Sequence, residues 1–205
     1  MKATDHTMIH AIIGRHREGL DRLEKMWKDP KVLFYGDSIP KKRKSVCSIF
    51  LAGPTSRDAV PDYMWRKDAV HFLRVNGFTG LIFIPEPRGD SYLAERSEFD
   101  FTDSQVIYKW EHRGLKQATH RVFWIPRNKQ QLLGLTTNRE IGQWLGRAEY
   151  DQTISKSLFI GWPKNAVNMG SLAFELESSG VGYKQGKYFT SLLELCKQLV
   201  SVVKK

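Results

Sequence analysis

The chain is poor in the residues that mark cross-links, metals and cofactors. Its 205 residues hold only two cysteines, Cys47 and Cys196, far apart and outside any CxxC spacing. That speaks against a disulfide framework and leaves free thiols in a reducing compartment as the expectation. No apolar run approaches the ~20 residues of a membrane span, so no membrane partner is expected. Arg15 and Arg17 stand where an export signal would carry its apolar stretch, and a cytoplasmic location is expected. Neither a GxGxxG nor a P-loop occurs, which leaves a dinucleotide or NTPase role unsupported. His6 and His10 share one segment, His112 and His120 stand separately, and no Cys/His cluster has ligand spacing. No metal and no cofactor are therefore expected.

What is present suits one domain with an extension. A hydrophobic fraction of 41% is enough for a single packed core, and 26% charged residues is ordinary. Six Trp and eleven Phe are generous, and such rings fill cores or line pockets. The net charge of +10 gathers at the two ends. Residues 1–45 hold eleven Lys/Arg against six Asp/Glu, and residues 184–205 hold five against one. Basic ends attract phosphates, so nucleic acid enters as a partner beside the plainer reading of a solvated periphery. Lys41-Lys42-Arg43-Lys44 carries the same two readings.

The chain reads as an N-terminal part, 1–45, and an α/β domain, 46–205. Met8, Ile12, Ile13, Leu20, Leu23 and Trp27 give residues 4–28 an amphipathic helical pattern, stopped by Asp29-Pro30. Val32 to Tyr35 reads as a short strand that could cap a sheet edge. From residue 46, strands are expected over 46–52, 80–84 (ended by Pro85), 120–125 and 157–161. Helices are expected over 62–75, 104–118, 138–148 and 189–203. This alternation predicts a parallel sheet covered on both faces. Ligands of such sheets sit at the carboxyl ends of the strands, which singles out the loops 53–57, 85–90, 126–138 and 161–168.

The most informative stretch is Thr136-Thr137-Asn138-Arg139-Glu140-Ile141-Gly142. It places one carboxylate near the start of a helix, where the free amides favour an ionised acid. Thr137-x-x-Glu140 is equally a capping box, in which both side chains serve the helix itself. Glu111 reads as a group that contacts a ligand or as a helical surface carboxylate. Phe50 and Trp124 lie in apolar strands and suit a core.

These pieces resemble the nucleoside 2-deoxyribosyltransferase family, in its divergent branch. The resemblance runs from about Val32 to Leu172. It rests on Ser48-Ile49-Phe50-Leu51-Ala52-Gly53-Pro54, Trp65-Arg66, Ile84-Pro85-Glu86, Trp110-Glu111, Phe123-Trp124-Ile125-Pro126-Arg127 and the stretch containing Glu140. It implies a flavodoxin-like five-stranded parallel sheet and an enzyme acting on the N-glycosidic bond of a nucleoside or nucleotide. It also implies homo-oligomers with shared active sites. The nucleophile falls on Glu140 and a base contact on Glu111. The substrate pocket falls on Phe50, Gly53 and Pro54, with Trp65, Trp110, Asn138 and Arg57 or Arg88 beside it. Arg66 and Arg127 join those arginines as candidates for a 5′-phosphate. Asn168, before Met169, stands where the better-known branch reaches into a neighbouring subunit. Hydrolases of nucleoside 5′-monophosphates share the fold and the glutamate, so the resemblance covers transfer and hydrolysis alike.

Overall fold

The computed structural model describes residues 25–41, 46–54, 65–87, 101–128 and 134–203. Most of the expected 4–28 helix, the basic run from Lys42 to Lys44, Arg57 and Arg88 lie outside the described residues.

Five strands form one parallel sheet in the order β1-β3-β2-β4-β5. They are β1 (Val32–Tyr35), β2 (Ser48–Ala52), β3 (Leu81–Pro87), β4 (His120–Trp124) and β5 (Leu158–Gly161). The helices are α1 (Trp65–Val75), α2 (Phe101–Gln117), α3 (Leu135–Tyr150), α4 (Gln152–Lys156), α5 (Gly170–Ser179) and α6 (Leu192–Val203). This is the expected flavodoxin-like α/β architecture. The short strand read at Val32–Tyr35 pairs in parallel with β3 and forms one edge. Beyond β5, Phe189 adds a single parallel bridge to Gly161.

Strand alternation divides the core in two. Ile49, Leu51, Ile82, Ile84, Val122 and Phe159 face α1 and α6, against Val70, Leu73, Leu195 and Leu199. Phe50, Ala52, Phe83, Phe123 and Ile160 face the other side, against Leu115 of α2, Ile141 and Leu145 of α3 and Leu176 of α5. All five residues of β2 are buried, as a strand covered on both faces requires.

The expected break at Pro85 is corrected: β3 runs on to Pro87. The pairing of β2 with β3 reaches only Phe50–Phe83, and the register against β1 shifts between Phe34 and Tyr35. Pro85 therefore falls past the β2 ladder and beside a bulge, where a missing N–H costs no sheet hydrogen bond.

A buried arginine joins α2 to β4. Arg121 donates from Nε to Leu115 O (2.8 Å), from Nη2 to Ala118 O (2.8 Å) and from Nη1 to Ser157 Oγ (2.9 Å). Its guanidinium lies 3.8 Å from the centre of the Trp144 ring. Those carbonyls end α2, where a cation is favoured.

Phe50 belongs to this packing. Its side chain is 1% exposed, and a Cβ added to Gly114 of α2 would stand 2.7 Å from the ring. Phe50, expected as a nucleoside contact, is packed in the core by the close approach of α2. Phe50→Ala should lower unfolding free energy by about 3–5 kcal/mol, the usual cost of a deleted core ring, read by urea denaturation.

Candidate active site

The site begins where β2 and β4 part company. The chain leaves β2 for β3 on one side, while β4 leads to β5 on the other, so their carboxyl ends flank the switch point of the sheet. Gly53, the first residue past β2, has φ +155°. A Cβ there would lie 2.1 Å from Trp124 O and 2.7 Å from the Trp65 ring. Glycine is required because the ends of β2 and β4 and the start of α1 meet at that point. Trp65 Nε1 donates to Pro54 O at 3.1 Å. Pro54 in turn lies against Gly134, whose added Cβ would stand 3.5 Å from the Pro54 Cβ. Gly53, Pro54 and Trp65 are thus brought together, at the foot of α3.

Arg66 organises this corner. Its side chain is buried. Nε donates to Leu51 O at 3.1 Å, and Nη2 donates to Gly53 O at 2.6 Å. Nη1 forms an ion pair with Glu86 of β3, and the guanidinium stacks 4.5 Å from the Trp65 ring centre. These bonds turn the fork of Arg66, expected as a 5′-phosphate candidate, inward onto the protein. Arg66 and Glu86 were legible only as parts of matched motifs; no spacing rule gave either a role.

Glu140 stands differently from its expectation. α3 starts at Leu135, three residues before the expected boundary, with Gly134 as its N-cap in the left-handed region (φ 64°) and no side-chain cap. Glu140 is the sixth helical residue and lies in the second turn. The capping box Thr137-x-x-Glu140 is therefore absent, and so is stabilisation by the helix end, which fades beyond the first turn. Instead the side chain is half-buried. Burial pushes its carboxyl up from 4.5 to about 7, against the lowering pull of Arg139 and Arg66. Glu140 is a desolvated acid poised near neutrality rather than a carboxylate held ionised by a helix terminus.

A second cluster joins Asn138 and Asn168. Arg127, just past β4, donates to Asn138 Oδ1 and, at 3.1 Å, to the Asn168 carbonyl. Val167 N donates to Arg127 O at 3.1 Å, and Asn168 takes a left-handed φ of 55°. Burial lowers the Arg127 pKa. The resemblance sent Asn168 towards a neighbouring subunit; within this chain its carbonyl is held by Arg127.

Trp110 lies apart from Glu140's corner. Its indole Nε1 donates to Asp37 O at 2.8 Å. The ring packs 6.3 Å from Tyr35, 6.3 Å from Phe50 and 6.4 Å from Phe83. It anchors the turn after β1, and the ring stays half-buried. Glu111, next on α2, is half-buried. α2 meets α3 through Arg139, whose guanidinium lies 5.7 Å from the Tyr108 ring centre. Among the described residues no group of three or more His, Cys, Asp or Glu is placed to hold a metal ion. No described helix is long and apolar enough to cross a membrane.

The family model described as nucleoside 2-deoxyribosyltransferase like matches residues 46–153. The chain belongs to that family. No curated protein matches it. The matched span opens just before β2 and closes just after α3, so it contains Gly53, Arg66, Glu86 and Glu140. In the deoxyribosyltransferase-like chain β1, β5, α5 and α6 all lie outside the matched residues.

The raised pKa of Glu140 has a stability consequence. An acid whose folded value exceeds its unfolded value stabilises the fold below about 4.5, and that contribution is lost as pH rises through about 7. Glu140→Gln should therefore raise the unfolding free energy at pH 8 by roughly 2–3 kcal/mol and change it little at pH 4.5. Thermal melts at the two pH values check this; an equal effect at both would contradict it.

Proposed function

We propose that this protein breaks the N-glycosidic bond of a (deoxy)nucleoside or nucleoside 5′-monophosphate. The observation that carries the proposal is the half-buried Glu140 carboxyl at the β2/β4 switch point, beside the Gly53–Pro54 turn and under the influence of Arg66. Cleavage of a sugar–base bond passes through an oxocarbenium-like state that an ionised carboxylate can trap. A Glu140 oxygen forms a bond to C1′ while the C1′–N bond breaks, and the bonding pair leaves with the base. Glu111 assists the departing base, as a contact or as the proton donor. Water or a second base then attacks C1′ and releases the carboxylate. The first acceptor gives hydrolysis, the second transfer. Desolvation strengthens Glu140 as a nucleophile once ionised, because no hydration shell has to be stripped from it at the moment of attack.

The experiment offers purified protein a panel of nucleosides and 5′-monophosphates, with and without a second free base. A new nucleoside marks transfer, and free sugar or sugar phosphate marks hydrolysis. Glu140→Gln should lose about 10³-fold or more of kcat, as removal of a covalent nucleophile does. Activity in the wild type should rise with pH through about 7 and level off above it, since only the ionised acid attacks. Absence of cleavage and exchange across the panel defeats the proposal.

A further inference from the structure

We infer that Arg66 is the positioning residue of this site: its ion pair with Glu86 and its bonds to the carbonyls at the end of β2 hold the turn at which Glu140 acts. The inference rests on reading Glu140 as the nucleophile.

The geometry runs through one guanidinium. Leu51 O lies near the end of β2 and Gly53 O just past it, and Arg66 donates to both. Glu86, at the end of the neighbouring β3, takes the third direction of the fork. The Trp65 ring, stacked on that guanidinium, holds Pro54 by its carbonyl, and Pro54 bears on Gly134 at the start of α3. The Gly53–Pro54 turn is therefore set from α1, not from the helix that carries the acid. A planar fork with donors in fixed directions suits this; a lysine ammonium does not reproduce it.

The charge of Arg66 reaches Glu140 and favours its ionised form, as does Arg139 on the acid's own helix. Other ionisable groups bear on the corner. Glu86 on β3 offsets Arg66 directly. On α2, Glu111 and His112 follow Tyr108 by one helical turn and share its side, the one met by Arg139. His112 is held below its ordinary value by burial and by Lys116, Arg147 and Arg139, so it adds little charge at neutral pH. Arg127, past β4, is committed to Asn138 and Asn168. Arg66 with Glu86 is thus the lever that comes from outside α3 and α2, and its two members act with opposite sign.

The test reads the Glu140 carboxyl directly, by carbon-detected NMR titration of glutamate-labelled protein, with Glu140→Gln assigning the signal. The pH dependence of kcat/KM is measured in parallel. Arg66→Gln removes a cation and should move the midpoint up by about one pH unit. Glu86→Gln removes an anion and should move it down by a similar amount. Arg66→Lys keeps the charge but not the fork; its midpoint should stay near the wild-type value while kcat falls at least tenfold. Glu86→Gln leaves the two carbonyl bonds of Arg66 in place, so that variant decides even if Arg66→Gln does not fold. Midpoints that stay put, or that move the same way in Arg66→Gln and Glu86→Gln, overturn the inference. Midpoints that move as stated in the variants, with a wild type that cleaves no nucleoside, overturn the proposed function alone. Cleavage that needs Glu140 while the midpoints stay put overturns this inference alone.

Discussion

A parallel sheet leaves a difficulty at its carboxyl edge, and Arg66 is how this protein answers it. The ladder between β2 and β3 stops at Phe50–Phe83, and beyond it the carbonyls of Leu51 and Gly53 have no partner on β3. Buried backbone oxygens must still be satisfied. A single guanidinium from the first turn of α1 bonds two of them and pairs with Glu86 of β3. The Gly53–Pro54 turn and the indole of Trp65 stand around that group, and its charge reaches the carboxyl of Glu140. Such a buried charge is tolerable only because its acceptors are all present. Removing one member of the set leaves the others stranded in low dielectric.

The same economy appears at the opposite end of the sheet, with no carboxylate involved. Arg121 is buried among carbonyls that end α2, a serine hydroxyl and the face of Trp144. Burial lowers its pKa to about 10, with Arg147 adding to the effect. Two arginines thus pin the α/β layers at the two edges. The first lies near an acid that burial makes hold its proton up to about neutral pH and the second does not, which separates a site from a fastening.

Much of the fold was readable because it depends on short-range pattern. The alternation of strand and helix from residue 46, the strand at Val32–Tyr35 and the importance of the strand-end loops all follow from periodicity and turn residues. What escaped depends on contacts between distant segments. Helix α5 has Leu172 and Leu176 inside and Phe174 outside at 73% exposure, too thin a stripe to read as amphipathic. The start of α3 was misplaced because Thr136-Thr137-Asn138 looks like a run of caps, whereas Gly134 takes that position by turning left-handed. Phe50 and Trp110 have the composition of ligand contacts, and only the approach of α2 assigns them to packing. The proton affinity of Glu140 is set by what covers it, and no local pattern encodes that. Arg66 and Glu86 are 20 residues apart in the chain, and their pairing exists only once β2 and β3 lie side by side.

One consequence of the strand order concerns the leading segment. Val32 and Phe34 are fully buried, and β1 covers the flank of β3 along its length. The family span starts at residue 46 and by itself would leave β3 as an outermost strand, with a row of bare amides and carbonyls ready to recruit a stranger's backbone. β1 is therefore a built-in guard against edge-to-edge association, and a trimmed protein starting at the family span would keep the reacting groups while becoming sticky.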